Sequence, residues 1–509
     1  MGRVQQLLSS RVKADAGRVA FIEGQTGTAI TWGDVAASSA DWLEHVGTTS
    51  DPRSRLVGLA LCSPTAFCSS YVAALANGTP IAPLDPRSTV DELVERASVL
   101  ALTDVVGDRL DAAQVAALTD TGARVWTVGR DGTRLVANSA ERWALAAEGA
   151  DSCVVLTTSG STGRPKLVPL HEDQLLGVAV HIASHHRLDR RDRGYCPLPL
   201  FHINAQVVGV LSTLVSGGSL VVEERFAKER FWGVAGEFGV TWLNLVPAIL
   251  AILASLPGTN RSLGRSIRFA RSASSPLSDA VRERFESASG IGVLETYGMT
   301  EAASQITANP LRPEDRRAGS VGLPVGIEVR VVDEAGSAAP ADATGVVQIR
   351  GAAVVDRYFA AGRIGATSAR GTDGWLSTGD LGRMDTDGFL YLVGRTDDVI
   401  NRGGEKVYPR EIEEVLLRDA RVSAAVATAR PHPSLGAQPV AFVSTSLPAN
   451  ERDRLATELR QSCEIALSRY KRPAEIFVTD SLPVGATGKV ARHRLTQLCK
   501  LSELSPVKP

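Results

Sequence analysis

The sequence predicts an α/β protein with a large N-terminal domain and a small C-terminal α+β domain. Short apolar runs alternate with helical patterns as far as residue 296, which is typical of parallel β-α-β units. Residues 327–350 then change to short alternating strands around a turn-rich segment. A third pattern follows residue 395. A chain of 509 residues that is 44% hydrophobic is long enough for more than one core.

The parallel part is predicted from apolar runs of strand length that are bounded by turn residues. We predict strands at 56–63, 79–84, 103–106, 153–157, 194–198, 219–222, 241–246, 267–272 and 292–296. Two helices, at 64–77 and 89–99, separate the first three strands. Because helices cover both faces of a parallel sheet, these strands are expected to be apolar throughout.

The remaining elements are shorter and follow a different order. A small antiparallel element is predicted from strands at 327–333 and 344–350 and from a hairpin that ends at Arg395. The C-terminal region is predicted to contain helices at 409–418, at 450–468 and from 490, and strands at 422–429, 439–445 and 475–478. This order indicates a separate small domain with its boundary near residue 395.

Composition and charge exclude several classes of function. The formal net charge of −1 gives no reason to expect binding to nucleic acid or to an anionic membrane. The six cysteines are scattered and form no CxxC pair, so neither a zinc site nor a disulfide framework is indicated. No signal peptide is evident, and the most apolar stretch, Trp242–Leu256, is too short to span a bilayer. We expect a cytoplasmic protein without a membrane span, of unknown oligomeric state.

A loop rich in glycine and hydroxyl side chains follows the predicted strand at 153–157. Its glycines let backbone N–H groups turn toward an anion, and its hydroxyls add donors. The spacing is not that of a Walker A loop. By itself the segment fits either a polyphosphate-binding loop or an ordinary surface loop. The residues concerned are Thr158, Ser159, Gly160, Ser161, Thr162, Gly163 and Lys166.

Four further segments follow this loop in a fixed order, and together the five resemble the adenylate-forming superfamily. They are PLPLFHINA at 197–205, ETYGMTEA at 295–302, GWLSTGD at 374–380 with GRTDDVINRGGEKVYPREIEEVL at 394–416, and LPVGATGKVAR at 482–492. The resemblance covers nearly the whole chain, from about residue 20 to residue 495. Acyl-CoA synthetases, stand-alone adenylation domains and firefly luciferase belong to this superfamily.

The resemblance implies a reaction in two steps. A carboxylate attacks the α-phosphorus of ATP and pyrophosphate leaves, and the acyl group then passes to the thiol of CoA. ATP, Mg²⁺, CoA and a small carboxylic acid would be the cofactors and partners. It also implies an AMP-binding domain at 1–394, a hinge at 395–397 and a mobile C-terminal domain at 398–509. The alternative is a stand-alone enzyme that passes the acyl-AMP to a carrier protein, an amine or another small nucleophile.

The resemblance also assigns catalytic and nucleotide-binding residues. Lys489 would bridge the carboxylate and the α-phosphate, a task that suits a compact ammonium on a long stem. Thr300 would donate to the α-phosphate, and Glu301 would bind Mg²⁺. The other implied nucleotide contacts are the loop residues above together with Ser274, Tyr297, Gly298, Asp380 and Arg395. Retention of these residues argues against a nucleotide-binding protein that has lost catalysis.

Further positions would serve the acyl acceptor and the domain rotation. His202 follows Pro-Leu-Phe, where the family places a gate between the acyl pocket and the thiol tunnel. Asp397 lies at the family's hinge position. Gly403 and Gly404 would let the small domain bring its backbone close to the CoA tunnel.

The acid itself is less well specified. The nearest local resemblance is to oxalyl-CoA synthetase-like enzymes, but this chain has Asn204 and Ser304 where those enzymes tend to carry histidines. A polar, uncharged pocket is therefore expected, which suits an acid with hydroxyl or amine substituents. The sequence does not give the direction of the Arg271 side chain. The predicted pocket residues are His202, Asn204, Gln206, Asn244, Ser272, Gly298, Met299, Ser304 and Gln305.

Overall fold

Four β-sheets, with helices packed against them, form the fold in the computed structural model of the chain. The structure describes residues 2–46, 55–129, 132–137, 154–158, 166–256, 266–361, 365–483, 490 and 492–500. All structural statements below concern these residues.

The strands alternate with helices through the first 300 residues and then follow one another more closely. In chain order they are β1 (Val19–Glu23), β2 (Ala29–Thr31), β3 (Val57–Ala60), β4 (Ile81–Pro83), β5 (Asp104–Gly107), β6 (Arg124–Gly129), β7 (Gly132–Ala137), β8 (Val154–Thr158), β9 (Lys166–Leu170), β10 (Arg193–Cys196), β11 (Ser219–Val222), β12 (Trp242–Leu245), β13 (Phe269–Ser272), β14 (Val293–Met299), β15 (Ser304–Ala308), β16 (Leu323–Pro324), β17 (Glu328–Val332), β18 (Gly345–Arg350), β19 (Arg357–Phe359), β20 (Ala366–Ser368), β21 (Leu376–Met384), β22 (Leu390–Arg395), β23 (Ile400–Arg402), β24 (Glu405–Val407), β25 (Ala424–His432), β26 (Gly436–Ser444) and β27 (Ile476–Thr479).

The helices connect and cover these strands. They are α1 (Arg3–Asp15), α2 (Trp32–His45), α3 (Pro64–Ala76), α4 (Val90–Leu100), α5 (Ala112–Asp120), α6 (Glu172–His185), α7 (Ser212–Ser216), α8 (Phe231–Glu237), α9 (Pro247–Ala254), α10 (Asp279–Ser289), α11 (Pro409–Leu417), α12 (Ala449–Ala466) and α13 (Arg492–Lys500). A π-helix (Asn204–Leu211) precedes α7, and short 3₁₀ turns lie at Thr300–Ala302, Pro313–Asp315, Thr396–Asp398 and Arg469–Lys471. No described helix is long and apolar enough to cross a membrane.

Two nine-stranded sheets form the N-terminal part. The first has the order β16-β15-β14-β13-β12-β10-β11-β1-β2 and is parallel from β14 to β1. The second has the order β20-β19-β9-β8-β4-β3-β5-β6-β7 and is parallel from β8 to β6. Antiparallel strands close the edges of both sheets. Helix α3 follows β3 of the second sheet, contacts β1 of the first and is buried on nearly every side, so it lies between them.

Helix starts in this part follow local capping rules. The side chains of Thr31, Thr89 and Asp111 each accept a hydrogen bond from the backbone N–H three residues later. The side chain of that later residue in turn accepts from the backbone N–H of the capping residue. These reciprocal bonds satisfy N–H groups that have no partner within the helix. These capping residues therefore determine the residues at which α2, α4 and α5 begin.

Two smaller sheets follow. The antiparallel sheet β17-β18-β21-β22 ends at Arg395, and the mixed sheet of β23 to β27 begins at Ile400, so the predicted hinge at 395–397 lies between them. The last sheet has its own apolar clusters with α11, α12 and α13. In this structure Arg410 Nη1 donates to Leu392 O at 2.7 Å, and Arg284 Nη1 donates to Leu417 O at 3.3 Å.

The predicted fold class is confirmed, and every strand and helix named from the sequence is present within a few residues. The elements that were not predicted include strands β1, β2, β6 and β7, helices α1, α2, α5 and α6, and the π-helix. The mostly parallel pattern is present in the centres of both large sheets, where all four residues of β3, β11 and β12 are buried. This burial explains why apolar runs were a sufficient signal.

Candidate active site

Side chains from neighbouring strands converge near the carboxyl ends of β12, β13 and β14, the edge at which ligands bind in parallel sheets. Asn244 on β12 is in register with Arg271 on β13. Gln305 on β15 lies opposite Gly298 on β14. Residues in register on paired strands face the same side of the sheet. The sheet therefore brings Arg271 among residues that were predicted to form the acid pocket.

Arg271 donates hydrogen bonds to three amide oxygens. Its Nη1 donates to Asn204 Oδ1 at 3.2 Å and to Asn244 Oδ1 at 3.1 Å. Its Nη2 reaches Gln305 Oε1 at 3.4 Å. We call these four residues the amide cluster. Arg271 is 1% exposed, so the guanidinium is solvated by amide dipoles in place of water.

The amide cluster carries a positive charge without an acidic partner. No ion pair joins Arg271 to a carboxylate within the described ranges. Burial lowers the pKa of Arg271 to about 9, which leaves the guanidinium protonated at neutral pH. Burial also raises the pKa of the nearby Cys196 thiol to about 11, so this thiol is neutral. The expectation of an uncharged pocket is therefore wrong at Arg271.

The π-helix brings two of the predicted pocket residues into this region. Asn204 begins the π-helix, and its Nδ2 donates to Ser274 Oγ at 3.1 Å. Gln206 is fully buried and donates to Leu200 O at 3.0 Å. π-Helical turns are rare and occur frequently at functional sites. His202 precedes this helix, and its ring packs against Phe201 with centroids 4.4 Å apart.

The backbone around this region is strained. Ser274, Ala303 and Ser304 have φ values of 75°, 50° and 108°, a region that non-glycine residues rarely adopt. A Cβ on Gly298 would lie 1.5 Å from Ser304 O, so only glycine fits where β14 and β15 approach. Strained residues cluster at ligand sites because the surrounding fold must hold them in place.

A second group of side chains surrounds Asp380. The Tyr297 hydroxyl donates to Asp380 Oδ2, and Arg395 Nη1 donates to Asp380 Oδ1 at 3.1 Å. Burial and the neighbouring carboxylate raise the pKa of Tyr297 well above its usual value. We call these three residues the Asp380 cluster. The cluster links β14, β21 and the last residue of β22. All three of its residues are predicted nucleotide contacts.

A third group links the predicted phosphate-binding loop to the predicted metal ligand. Thr158 and Lys166, the residues that flank the loop, are paired on β8 and β9. Lys166 Nζ lies 4.7 Å from the centre of the Tyr358 ring, and the Tyr358 hydroxyl donates to Glu301 Oε1 at 3.3 Å. Thr300 and Glu301 share one 3₁₀ turn.

The Glu301 carboxyl is suited to bind a cation that enters the site together with a phosphate-bearing ligand. Glu301 is 8% exposed, and burial raises the pKa of its carboxyl above the ordinary value. A nearby cation would favour the ionised form of such a group. No group of three or more metal-ligating side chains is present among the described residues. One carboxylate combined with phosphate oxygens and water is a common way to hold Mg²⁺.

Other predicted positions lie on the C-terminal side or outside the described residues. Asp397 is in the 3₁₀ turn between β22 and β23. Gly403 and Gly404 form the tip of the β23–β24 hairpin with φ of 61° and 95°, and beside them Lys406 pairs with Glu334 at 2.6 Å. Ser159, Gly160, Ser161, Thr162, Gly163 and Lys489 lie outside the described residues.

Two residues at the site were not among the predicted site residues. Arg271 lies in an apolar predicted strand, where a charged residue is a signal, but the sequence does not give the direction of its side chain. Tyr358 contacts both Glu301 and Lys166, and nothing in its neighbourhood of the sequence singles it out.

Comparisons with known proteins identify the family of this chain. The family model described as AMP-binding enzyme matches residues 8–359, and the model of the AMP-binding enzyme C-terminal domain matches residues 411–489. A sulfoacetate–CoA ligase of Cupriavidus necator is 42% identical over 67% of this chain, and the match spans 66% of that relative. An oxalate–CoA ligase of Arabidopsis thaliana is 34% identical over 87% of this chain and 88% of its own.

A solved structure gives the same result for the fold. The o-succinylbenzoate–CoA synthetase of Bacillus subtilis, in complex with its acyl-adenylate, superimposes with a TM-score of 0.81 at 25% identity and covers 99% of both chains. The family match covers more than half of this chain, and its residues include the amide cluster and Glu301. The chain belongs to the AMP-binding enzyme family.

Proposed function

We propose that this chain activates a small carboxylic acid with ATP and then transfers the acyl group to CoA. In the first step a carboxylate oxygen attacks the α-phosphorus and pyrophosphate leaves. In the second step the CoA sulfur attacks the acyl carbon, AMP leaves and the thiol proton is released. The observation that carries this proposal is the link from Lys166 through Tyr358 to Glu301, which ties the end of the phosphate-binding loop to a buried carboxylate.

The nucleotide would lie between this link and the Asp380 cluster. We assign the ribose hydroxyls to Asp380, with Arg395 holding its carboxylate, and the adenine ring to Tyr297. Mg²⁺ would enter as the complex with ATP, would offset charge on the phosphates and would be held by Glu301. The remaining proposed contacts are Thr158, Ser159, Gly160, Ser161, Thr162, Gly163, Lys166, Ser274, Gly298 and Thr300.

Positive charge is needed where the two anions meet, and we assign it to Lys489. The domain that carries it, 398–509, would rotate about the hinge at 395–397 once the adenylate has formed. Rotation would withdraw Lys489 and bring Gly403 and Gly404 toward the thiol, with His202 at the gate. The positive φ of both glycines supports this role, because a hairpin tip without side chains can approach a ligand such as CoA closely.

The relatives support a ligase that uses small acids. The acids that the printed names of three relatives specify are sulfoacetate, oxalate and 2-succinylbenzoate. All three relatives are named as CoA ligases, which favours CoA as the acceptor over a carrier protein or an amine.

Pyrophosphate release from the purified chain tests this function directly. The chain is incubated with ATP, Mg²⁺ and a panel of small acids, first without CoA, then with CoA, and then with hydroxylamine as a trapping amine. We expect adenylation of at least one acid and conversion to a thioester when CoA is present. Adenylation without any thioester would move the acceptor to another nucleophile, and no adenylation of any acid would contradict the proposal.

The assignment of Lys489 has its own test. Lys489→Ala is expected to lower the rate of adenylation by about 100-fold or more, while transfer from supplied acyl-AMP to CoA is largely kept. Lys13→Ala on the exposed face of α1 is the matched control and should change neither step. Equal loss in both steps would contradict the assignment.

A further inference from the structure

The amide cluster holds a charge that the fold itself does not neutralise. Arg271 is buried, and its guanidinium contacts amide oxygens of Asn204, Asn244 and Gln305 but no carboxylate of the described residues. Amide dipoles solvate a cation but leave its net charge in place. An uncompensated buried charge is costly, so it is expected where a ligand of opposite charge supplies the missing partner.

Hydrogen-bond donors beside the guanidinium are also unused. Arg271 Nε and Gln305 Nε2 are buried and have no hydrogen-bond partner among the described residues. Buried donors are nearly always satisfied in folded proteins, so two neighbouring exceptions need an explanation. Two unused donors and one positive charge match the acceptor atoms of a carboxylate or a sulfonate.

The position of these donors fits the end of the acid that does not react. Gln305 lies opposite Gly298, and Gly298 is followed by Met299 and the 3₁₀ turn that begins at Thr300, which we assigned to the α-phosphate. Asn204 links the other side of the cluster to Ser274, which we assigned to the nucleotide site. The cluster is therefore a short distance along the same strands from the place where the reacting carboxylate would lie.

We propose that the acid this enzyme activates carries a second anionic group, a carboxylate or a sulfonate, which Arg271 binds together with Gln305. This inference rests on the proposed function. The second group keeps its charge through both steps, since the carboxylate at the other end forms the mixed anhydride with AMP and then the thioester. Arg271 thus acts in substrate selection.

Matched pairs of acids test the proposal. Each pair has the same chain length with and without the second charge: succinate with butyrate, malonate with propionate, and sulfoacetate with propionate. We expect the wild-type enzyme to favour one charged member over its partner by at least about 100-fold in kcat/KM for CoA-thioester formation. Sulfoacetate against malonate separates a sulfonate from a carboxylate.

Variants show whether Arg271 causes the preference. Arg271→Met should lower kcat/KM for the charged acid by about 100-fold or more and should narrow or reverse the preference within the pair, while Arg271→Lys should keep part of it. Arg268→Met is the matched control, because Arg268 precedes β13, is partly exposed and pairs with Asp192. If Arg271→Met fails to fold, Asn244→Asp offers a second route, since a carboxylate beside Arg271 Nη1 would compete with the substrate.

The outcomes separate this inference from the function on which it rests. Adenylation of monoacids and charged acids with equal kcat/KM, or an unchanged preference in Arg271→Met, would overturn the inference and leave the ligase function in place. Absence of adenylation with every acid would overturn both.

Discussion

Two buried arginines of this molecule, Arg55 and Arg271, differ in the groups that surround their charge. Arg55 lies in the second large sheet region, where Nη2 pairs with Asp104 at 2.7 Å, and Arg124 and Trp126 also contact that carboxylate. Arg271 in the first sheet contacts amide oxygens and no carboxylate among the residues that the structure describes. The first charge is balanced inside the fold and serves stability. The second is left without an acid, which identifies a binding site by the same electrostatic reasoning.

The largest expected effect comes from breaking the balanced pair. Asp104→Asn would leave Arg55 buried without its acid, and we expect a loss of about 3–5 kcal/mol in the free energy of unfolding. Denaturant unfolding measures the loss. Glu328→Gln, which breaks the exposed pair with Arg350, is the control and should leave the free energy of unfolding nearly unchanged, because water screens an exposed ion pair. Equal losses in the two variants would remove the distinction between the two arginines.

A buried acid, Glu295, extends the comparison to the pH dependence of stability. Burial raises the pKa of Glu295 to about 7, although Arg410 lowers it. A raised carboxyl pKa contributes stability that is full below the unfolded value, about 4.5, and is lost as pH rises through about 7. Glu295→Gln should therefore match the wild type near pH 5 and exceed its stability near pH 8, by on the order of 3 kcal/mol.

Melting temperatures at the two pH values check this expectation. Glu237→Gln on the exposed end of α8 is the control and should show no pH-dependent difference from the wild type. A difference for Glu295→Gln that stays constant between the two pH values would show that the carboxyl is ionised throughout.

Supplying the missing acid should make the second arginine behave like the first. In Asn244→Asp the new carboxylate replaces an amide whose oxygen is 3.1 Å from Arg271 Nη1. We expect loss of the preference for acids with a second charge, because the new carboxylate takes the place of the substrate's second anion beside the guanidinium. The variant also loses the bond that Asn244 Nδ2 donates to Asn204 Oδ1 at 3.1 Å, so the acid preference and not stability is the readout. An unchanged preference would mean that Arg271 has no unbalanced charge to neutralise.

The smallest effect is expected in the Asp380 cluster. Tyr297→Phe removes the hydroxyl that donates to Asp380 Oδ2 and should raise KM for ATP about 5–10-fold, the value of one hydrogen bond. Tyr391→Phe is the matched control, because it removes an equivalent bond to Asp385 that lies outside the proposed site. A similar change of KM in both variants would argue that the first bond only supports the fold.

The fold could be predicted from the sequence because its central strands are encoded by short apolar runs that can be recognised locally. The run Val57–Ala60 is buried on both faces, so its length and apolar character alone mark it as a strand. The π-helix Asn204–Leu211 could not be predicted, because its apolar residues fit an ordinary helix equally well. The nucleotide residues were named through motifs that resemble a family.

The amide cluster could not be read in the same way. Its members come from the π-helix, β12, β13 and β15, so their contacts depend on sheet order and register. Alternation cannot show which way Arg271 points, because all four residues of β13 are buried. Asn204 in place of a histidine predicts an uncharged pocket, whereas in the structure its side-chain oxygen accepts a hydrogen bond from the Arg271 guanidinium.

One measurement tests the central claim most directly: a crystal structure with the non-hydrolysable acyl sulfamoyl-adenosine of the preferred acid. The account predicts a distal carboxylate or sulfonate oxygen within hydrogen-bonding distance, about 3 Å, of Arg271 Nε, with Gln305 Nε2 as a second donor. A distal group that lies elsewhere, with the amide cluster unchanged around Arg271, would contradict it.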